Sequence, residues 1–260
     1  MSQRPSSVGL FAAAVFSACA SMLAFPAGHP SAKPSGPLGN PTLKLAAFTK
    51  PVAAKPRRAT AYRILRVKPG HSIEMRSKPG GRAVGRIGAT TEFGQRRTVS
   101  VAAVKGRWYG VTATERPNGK LAWVDSHAGA LETGRTKMSL VADLSQKSVE
   151  LRSGRKVVKR FKVAVGRPGS PTPTGRFQVT DKLSGGNYGP YYGCCILALS
   201  GKQPNTPPGW TGGNRLAIHG TNAPGAIGHA ASAGCLRAAD SDLHVLMRRV
   251  PVGTPVFIKR

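Results

Sequence analysis

The sequence contains one cysteine whose neighbours suit a nucleophile. Cys235 lies in the run Ser-Ala-Gly-Cys-Leu-Arg, and His219 lies upstream at the end of a short apolar strand pattern. A thiol attacks a carbonyl carbon only as its thiolate, and a nearby imidazole can take the proton and form an ion pair that lowers the thiol pKa. The two residues therefore predict nucleophilic catalysis, with Cys235 as the nucleophile and His219 as the general base and acid.

Backbone groups beside this pair suit the other needs of acyl transfer. The oxyanion of a tetrahedral intermediate requires fixed donors, and glycine lets a backbone amide approach closely. We expect Gly234 and Cys235 to supply those amides. No acidic residue lies close to His219 in the sequence, so we predict that the backbone carbonyl of Gly220 orients its ring.

The remaining polar residues predict neither a metal site nor a cofactor. The 6 histidines are scattered without the spacing of metal ligands, and the chain has only 10 Asp and Glu residues. No glycine-rich phosphate loop follows a strand pattern and opens a helix pattern. We therefore expect an enzyme that uses no metal and no cofactor.

The chain is strongly basic. Its 260 residues include 39 Lys and Arg against 10 Asp and Glu, which gives a formal net charge of +29. Such a charge attracts polyanions, whether nucleic acid, anionic wall polymers or lipid head groups. The many glycines and prolines, and the scarcity of long helical patterns, favour a mainly β chain with two small domains.

The N-terminal residues favour the cell envelope among these polyanions. Residues 1–27 combine Arg4 with a long apolar run and then small residues, which is typical of an export signal. The run is at the short end for a membrane span, so an uncleaved anchor is the alternative. Residues 28–60 have the composition of a disordered linker. We therefore expect an extracytoplasmic protein that binds anionic wall polymers and no nucleic acid, and that meets the membrane only through such an anchor.

Cysteine usage leaves one thiol unpaired or all of them free. Removal of the signal, which contains Cys19, leaves Cys194, Cys195 and Cys235. Adjacent Cα atoms lie about 3.8 Å apart across a trans peptide, whereas a disulfide prefers about 4.4–6.8 Å. We therefore expect Cys194 and Cys195 to be two small buried residues rather than a vicinal disulfide that acts as a redox switch.

Residues 61–133 contain short strand patterns separated by turns, which predicts a small barrel. This region resembles bacterial SH3-like domains in the segments MRSKPGG, GRWYGV and NGKLAWV. The resemblance implies a domain that binds wall peptides or positions a catalytic partner. A barrel that acts as a spacer is the alternative.

Residues 137–260 form the second predicted domain, which consists of strands and one clear helix. The helix has an apolar stripe from Leu243 to Val250, with Asp240 or Ser241 as its N-cap. Strand patterns precede and follow it, so both predicted domains are mainly β.

The second domain resembles the L,D-transpeptidase (YkuD-type) family in several ordered motifs. The matching segments are LVADLSQKSVEL, PGSPTPTGRFQV and IHGTNAPGAIGHAASAGCLR. The resemblance implies a β-sandwich with one or two short helices. It places the family's nucleophile on Cys235, its base on His219 and its glycine on Gly234. Ala233 stands where the family usually has a histidine, so no helper histidine is expected at that position.

The resemblance further implies chemistry on peptidoglycan stem peptides. The Cys235 thiolate would attack the peptide bond between the third residue of a tetrapeptide stem and its terminal D-Ala. The D-Ala would leave, and the amine of a second stem would convert the resulting thioester into a 3→3 cross-link. The implied protein is thus an exported peptidoglycan L,D-transpeptidase.

The candidates for binding these stems come from the matched motif and from the loop over residues 184–214. Ser232, Thr221 and Arg237 belong to the motif, and Arg237 either holds a substrate carboxylate or braces the turn. Tyr192 lies in the loop, where it either contacts the stems or anchors the loop.

Two other functions are left open by the sequence. Water in place of the amine would make the chain an L,D-carboxypeptidase or a cysteine peptidase that hydrolyses stem peptides. The third hypothesis is a non-catalytic, basic wall-binding protein in which residues 61–133 carry the function. The pairing of His219 with Cys235 counts against this third hypothesis.

Overall fold

The computed structural model describes residues 61–210 and 213–260. The predicted export signal and linker lie outside the described residues. Within these residues the chain is mainly β with one α-helix, as the sequence predicts. No helix of the described part is long and apolar enough to cross a membrane.

Seven antiparallel strands form the first sheet. They are β1 (Tyr62–Val67), β2 (Ser72–Arg76), β3 (Ala83–Gly88), β4 (Thr98–Lys105), β5 (Trp108–Val111), β6 (Ala122–Asp125) and β7 (Leu131–Thr136). Their order across the sheet is β3-β2-β6-β5-β4-β1-β7. Alternating apolar residues such as Leu65, Ile73 and Val124 share one buried core. The strands lie where the sequence predicts a small barrel, and the likeness to SH3-like domains stays a prediction.

The remaining ten strands and the helix form the second part of the described chain. They are β8 (Met138–Asp143), β9 (Ser148–Ser153), β10 (Lys156–Lys162), β11 (Val165–Gly166), β12 (Gly175–Ser184), β13 (Cys195–Lys202), β14 (Arg215–His219), β15 (Ala230–Ser232), β16 (Leu236–Arg237), α1 (Asp240–Arg249) and β17 (Pro255–Lys259). Eight of these strands form a sheet in the order β10-β9-β8-β17-β12-β13-β14-β16, and β11 pairs with β15 separately.

The central strand β13 lies at the middle of the second core. Its residues from Cys195 to Gly201 are all buried, because β12 and β14 flank it and α1 packs against it. A continuous apolar run of this length is typical of a strand that is covered on both faces. The strand next to it, β14, ends at His219 and thereby brings that residue into the interior.

The helix α1 occupies the predicted position, with Leu243 and Leu246 buried. Its N-cap is Ala239, which makes no side-chain capping bond, so the prediction of Asp240 or Ser241 as the N-cap is wrong. The Asp240 carboxylate instead accepts the N–H of Cys194 at 3.0 Å. A long-range contact therefore takes the oxygen atoms that a local cap would use.

Buried polar contacts join the two sheets within one compact unit. The side chain of Gln178 in β12 is 1% exposed and reaches into the first sheet. Its Oε1 accepts the N–H of Ser100 and, at 3.1 Å, the hydroxyl of Thr112. Its Nε2 donates to the Thr98 carbonyl at 3.1 Å. If these bonds broke while the rest of the fold held, the polar groups would be buried without hydrogen-bond partners. The contact therefore fixes the position of the two sheets relative to each other.

Replacing Gln178 with Ala should lower the free energy of unfolding by about 2–3 kcal/mol, because it leaves buried groups of the first sheet without partners. Urea unfolding followed by circular dichroism measures the change. Gln146→Ala, at an exposed position, is the matched control and should change stability by less than about 0.5 kcal/mol. Equal stability of the two variants would show that these contacts do not hold the sheets together.

Candidate active site

Strand pairing brings the predicted nucleophile, Cys235, and the predicted base, His219, to the lining of one cavity. His219 is the last residue of β14, and Cys235 directly precedes β16. These two strands pair in parallel, with Ile218 opposite Leu236. Both Cys235 and His219 line one cavity of about 40 Å³. This volume is far below the roughly 300–1,000 Å³ of an ordinary ligand pocket.

His219 is held in one tautomer by a backbone oxygen. Its Nδ1 lies 2.6 Å from the carbonyl oxygen of Gly220. A carbonyl only accepts hydrogen bonds, so Nδ1 carries the proton and Nε2 presents a lone pair. Nε2 is buried and has no hydrogen-bond partner within the described part of the chain. The ring is therefore arranged as a base, although its orientation by Gly220 in catalysis stays a prediction.

Aromatic rings keep water away from this base. The ring centroids of Tyr192 and Tyr191 lie 4.9 Å and 5.6 Å from that of His219, and Trp210 lines the same cavity. Burial, helped by the positive charge of Arg237, lowers the pKa of His219 to about 4, although the hydrogen bond to Gly220 acts in the opposite direction. At neutral pH the imidazole is therefore uncharged.

Cys235 is a free thiol that is also held in its neutral form. Its Sγ lies 3.8 Å from the carbonyl oxygen of Arg215. Burial raises the pKa of Cys235, while the backbone at Ala217 and the charge of Arg237 act in the opposite direction. The ion pair that the two residues can form is therefore disfavoured before substrate binds. The low dielectric of the site disfavours both charges, and the resting pair is thiol and imidazole.

The hydroxyl of Ser232 organises the turn that carries the nucleophile. It donates to the Cys235 carbonyl at 2.6 Å and accepts the Gly234 N–H at 3.0 Å. Ser232 is fully buried, and these bonds occupy its proton and a lone pair. These bonds give Ser232 a role in the turn, and its contact with substrate stays a prediction. Gly234 has a φ of +123°, which favours glycine at this position.

The same turn contains the predicted oxyanion site. The Gly234 N–H donates to Ser232 and is therefore engaged in this structure, and its assignment as an oxyanion donor stays a prediction. The N–H of Cys235 makes no hydrogen bond within residues 61–210 and 213–260. It is therefore the donor that can receive an oxyanion formed beside the thiol.

Arg237 braces an aromatic wall of the cavity. Its guanidinium carbon lies 4.3 Å from the centroid of the Tyr191 ring, and its nitrogen donates to the Tyr191 hydroxyl. Arg237 is buried and pairs with His219 across β16 and β14. These contacts fit the bracing role, and the binding of a substrate carboxylate by Arg237 stays a prediction.

The two remaining predicted substrate-binding residues are placed differently. Tyr192 lines the cavity, so it stays a candidate for substrate contact. Thr221 is outside the set of described residues that line it, and its hydroxyl accepts the Ala223 N–H at 3.0 Å. That bond is local to the turn after β14, and a role of Thr221 in substrate binding stays a prediction.

Two residues that support the site have no signal in the sequence. The Gln203 side chain donates to the carbonyls of Pro171 (3.0 Å) and Ala233 (3.2 Å), which fixes the turn before Cys235. The Arg215 guanidinium donates to the Leu199 carbonyl at 3.0 Å and forms an ion pair with Glu92 of the first part of the chain. Both contacts are long-range, so no local pattern reveals them.

The structure joins Cys194 and Cys195 in a disulfide, which overturns the expectation of two separate buried residues. Gly193 before them has a φ of +57°, and the Asp240 carboxylate holds the Cys194 N–H. Both features flank the bridged pair in the chain. Cys235 is left as the free thiol of the described residues.

Alkylation of Cys235 by iodoacetamide should still accelerate above pH 9.0, the ordinary pKa of a thiol, because burial raises that pKa further. Mass spectrometry of the Cys235 peptide gives the rate at each pH. His219→Gln should leave the midpoint of the rise unchanged, since no ion pair is lost. A rate that is already maximal below about pH 7.5 would reveal the ion pair instead.

Comparisons with known proteins concern the second part of the chain. Residues 137–258 match the family model "YkuD: L,D-transpeptidase catalytic domain". The chain is 35% identical over 123 residues to "Putative L,D-transpeptidase YkuD" of Bacillus subtilis (strain 168), covering 46% of this chain and 65% of that one. YqjB of the same organism is 35% identical over 112 residues, covering 40% of this chain and 60% of that one. The chain thus spans less than two thirds of these relatives.

A solved L,D-transpeptidase from Mycobacterium smegmatis is 16% identical, with a TM-score of 0.41, and covers 75% of this chain and 93% of that one. A TM-score of 0.41 is too low for this similarity to support a conclusion about the chain. Residues 137–258 match the YkuD-type L,D-transpeptidase catalytic domain by family model and by curated relatives, which supports an enzyme of that family.

Proposed function

We propose that the chain is an exported peptidoglycan L,D-transpeptidase that forms 3→3 cross-links between stem peptides. One observation carries this proposal: Cys235 and His219 line the same cavity, and Nδ1 of His219 is bonded to the Gly220 carbonyl so that Nε2 is left to accept a proton. The match of residues 137–258 to the YkuD domain supplies the substrate class.

The first half-reaction transfers the stem to the enzyme. Nε2 of His219 takes the thiol proton as Sγ of Cys235 attacks the carbonyl carbon between the third stem residue and D-Ala. The N–H of Cys235 stabilises the oxyanion. The imidazolium then protonates the leaving amine of D-Ala, and the C–N bond breaks to leave a thioester. A base whose pKa is about 4 forms a strongly acidic imidazolium, which suits the expulsion of an amine.

The second half-reaction releases the stem. The side-chain amine of a second stem attacks the thioester carbon, and His219 takes the proton that this amine loses. The C–S bond breaks, the thiol of Cys235 recovers its proton, and an amide links the two stems. No metal or cofactor takes part in any of these steps.

The aromatic wall of the cavity favours transfer over hydrolysis. Tyr191, Tyr192 and Trp210 line this wall, and a stem peptide needs more room than the cavity's volume of about 40 Å³. A wall that closes over the acylated cysteine excludes water from the thioester. Hydrolysis by water, which would make the chain an L,D-carboxypeptidase or cysteine peptidase, is the competing function.

Incubation with disaccharide-tetrapeptide followed by mass spectrometry tests this function. We expect a cross-linked dimer that lacks one D-Ala, and Cys235→Ala should abolish it. His219→Gln should lower the rate by about 10²–10⁴-fold. His229→Gln is the matched control, because His229 is exposed and contributes only backbone bonds. Tripeptide without dimer would favour hydrolysis, and turnover by Cys235→Ala would refute the catalytic assignment.

We also infer that the charge of +29 holds the protein against anionic polymers outside the cytoplasm. Retention on purified cell walls should fall steeply as salt rises, because screening shortens the range of the attraction to about 8 Å at 0.15 M. Sedimentation of protein with walls measures retention, and walls stripped of their anionic polymers are the control. Retention that ignores salt would contradict this mode of binding. Full retention without any cross-linking activity would favour the non-catalytic wall-binding function.

A further inference from the structure

Outside the catalytic cavity, two sulfur atoms and an imidazole lie together where β13 begins. Sγ of Cys195 lies 3.7 Å from Nδ1 of His244 in α1, and Cys195 is bonded to Cys194. The potential ligand atoms of these three residues all lie within 4.8 Å of one another. Cys195 is buried whereas His244 is exposed, so solvent reaches the cluster from the helix side.

We propose that, once its disulfide is reduced, this cluster binds Zn²⁺ through the thiolates of Cys194 and Cys195 and a ring nitrogen of His244. Zn²⁺ takes thiolate ligands at about 2.3 Å and imidazole ligands at about 2.0–2.1 Å in a tetrahedral arrangement. Those lengths place a sulfur and a nitrogen ligand roughly 3.6 Å apart. The 3.7 Å between Cys195 Sγ and His244 Nδ1 therefore already matches the metal geometry.

Reduction supplies the remaining geometry. Two thiolates on one Zn²⁺ lie roughly 3.8 Å apart, so the two sulfur atoms only need to separate after their bond breaks. The ligand set of two thiolates and one imidazole suits a soft to borderline ion rather than Mg²⁺ or Ca²⁺. Three protein ligands leave the fourth tetrahedral position for water on the exposed side of His244.

Asp240 positions this cluster from behind. Its Oδ2 accepts the Cys194 N–H at 3.0 Å, and its backbone oxygen lies 3.7 Å from Cys194 Sγ. Asp240 and His244 are four residues apart on α1 and so lie on the same helix face. The other carboxylate oxygen, Oδ1, is buried without a partner among the described residues. A carboxylate in this place orients the ligands and adds negative charge beside a cation.

Metal binding and disulfide formation are mutually exclusive here. A dithiol gives two electrons and its two protons to the S–S bond and becomes a disulfide. A phosphine gives two electrons, while one water supplies the two thiol protons and the oxygen of the phosphine oxide. Zn²⁺ then replaces the two thiol protons, which pass to solvent, while neutral His244 donates a lone pair. The redox state of the pair thereby decides whether the metal binds.

Cobalt titration tests this site, because Co²⁺ takes zinc sites and its thiolate bonds absorb light. The protein is Cys235→Ala, reduced with a phosphine under nitrogen, so that only Cys194 and Cys195 offer thiols within the described residues. We expect one Co²⁺ per chain with a sulfur-to-cobalt charge-transfer band that Zn²⁺ abolishes. The oxidised protein should show no band. His244→Gln should weaken binding at least about tenfold, and Asp240→Asn about 10–100-fold.

His229→Gln is the matched control and should bind Co²⁺ as the parent does. Absence of the band in the reduced parent, or a band that survives Cys195→Ser, would overturn the proposal. Unchanged affinity in His244→Gln would also overturn it, since the site would then be a bare dithiol. In the wild-type chain, Zn²⁺ should slow alkylation of the reduced Cys194 and Cys195, a measurement that needs no variant to fold. None of these readouts depends on transpeptidase activity, so the two proposals fail separately.

Discussion

The hydrogen bond between His219 Nδ1 and the Gly220 carbonyl is the contact on which the arrangement of the site depends. It fixes the tautomer of the ring, so that Nε2 carries a lone pair and can act as a base. A carboxylate in the place of this carbonyl would stabilise the imidazolium and hold a charge in the site. The carbonyl is a dipole without net charge, and burial can therefore keep the imidazole neutral. The electrostatics of the whole cavity follow from that choice of partner.

The position of this carbonyl is set by its packing. The Gly220 N–H donates to the Cys195 carbonyl at 3.0 Å. A side chain on Gly220 would lie 3.0 Å from the Cys194 nitrogen and would collide with the Asp240 carboxylate, so only glycine fits here. The base is thus supported by the segment that holds the vicinal cysteines and by the start of α1. A change at Cys194 or Cys195 therefore acts on residues that adjoin the Gly220 carbonyl, which orients the ring of His219.

The sequence predicts what is local and misses what is long-range. Short patterns or neighbouring residues predict three features of the structure. These are the strand Tyr62–Val67, the helix stripe from Leu243 to Val250, and the contact between His219 and Gly220. The motif gives Ser232 its place in the chain but not the direction of its hydroxyl, which donates to the Cys235 carbonyl.

The supporting contacts required the folded chain. They join segments that are far apart in the sequence and that no local sequence pattern links. Examples are the ion pair between Arg215 and Glu92, the bond from Gln203 to Ala233, and the inter-sheet contacts of Gln178. Likewise, the average Cα spacing of disulfides argues against a vicinal bridge, and only the local fold at Gly193 shows that the two sulfur atoms meet. The neutral state of Cys235 and His219 also cannot be predicted from the sequence, because it depends on burial rather than on residue type.

That neutral state constrains the proposed reaction. A thiol is oxidised mainly as its thiolate, so a raised pKa of Cys235 disfavours its oxidation. The cost is that no charged nucleophile is ready when a substrate arrives. Proton transfer to His219 becomes favourable only when negative charge moves from sulfur to an oxyanion beside the Cys235 N–H. The proposed reaction therefore depends on donors that bind the transition state rather than on a thiolate formed in advance.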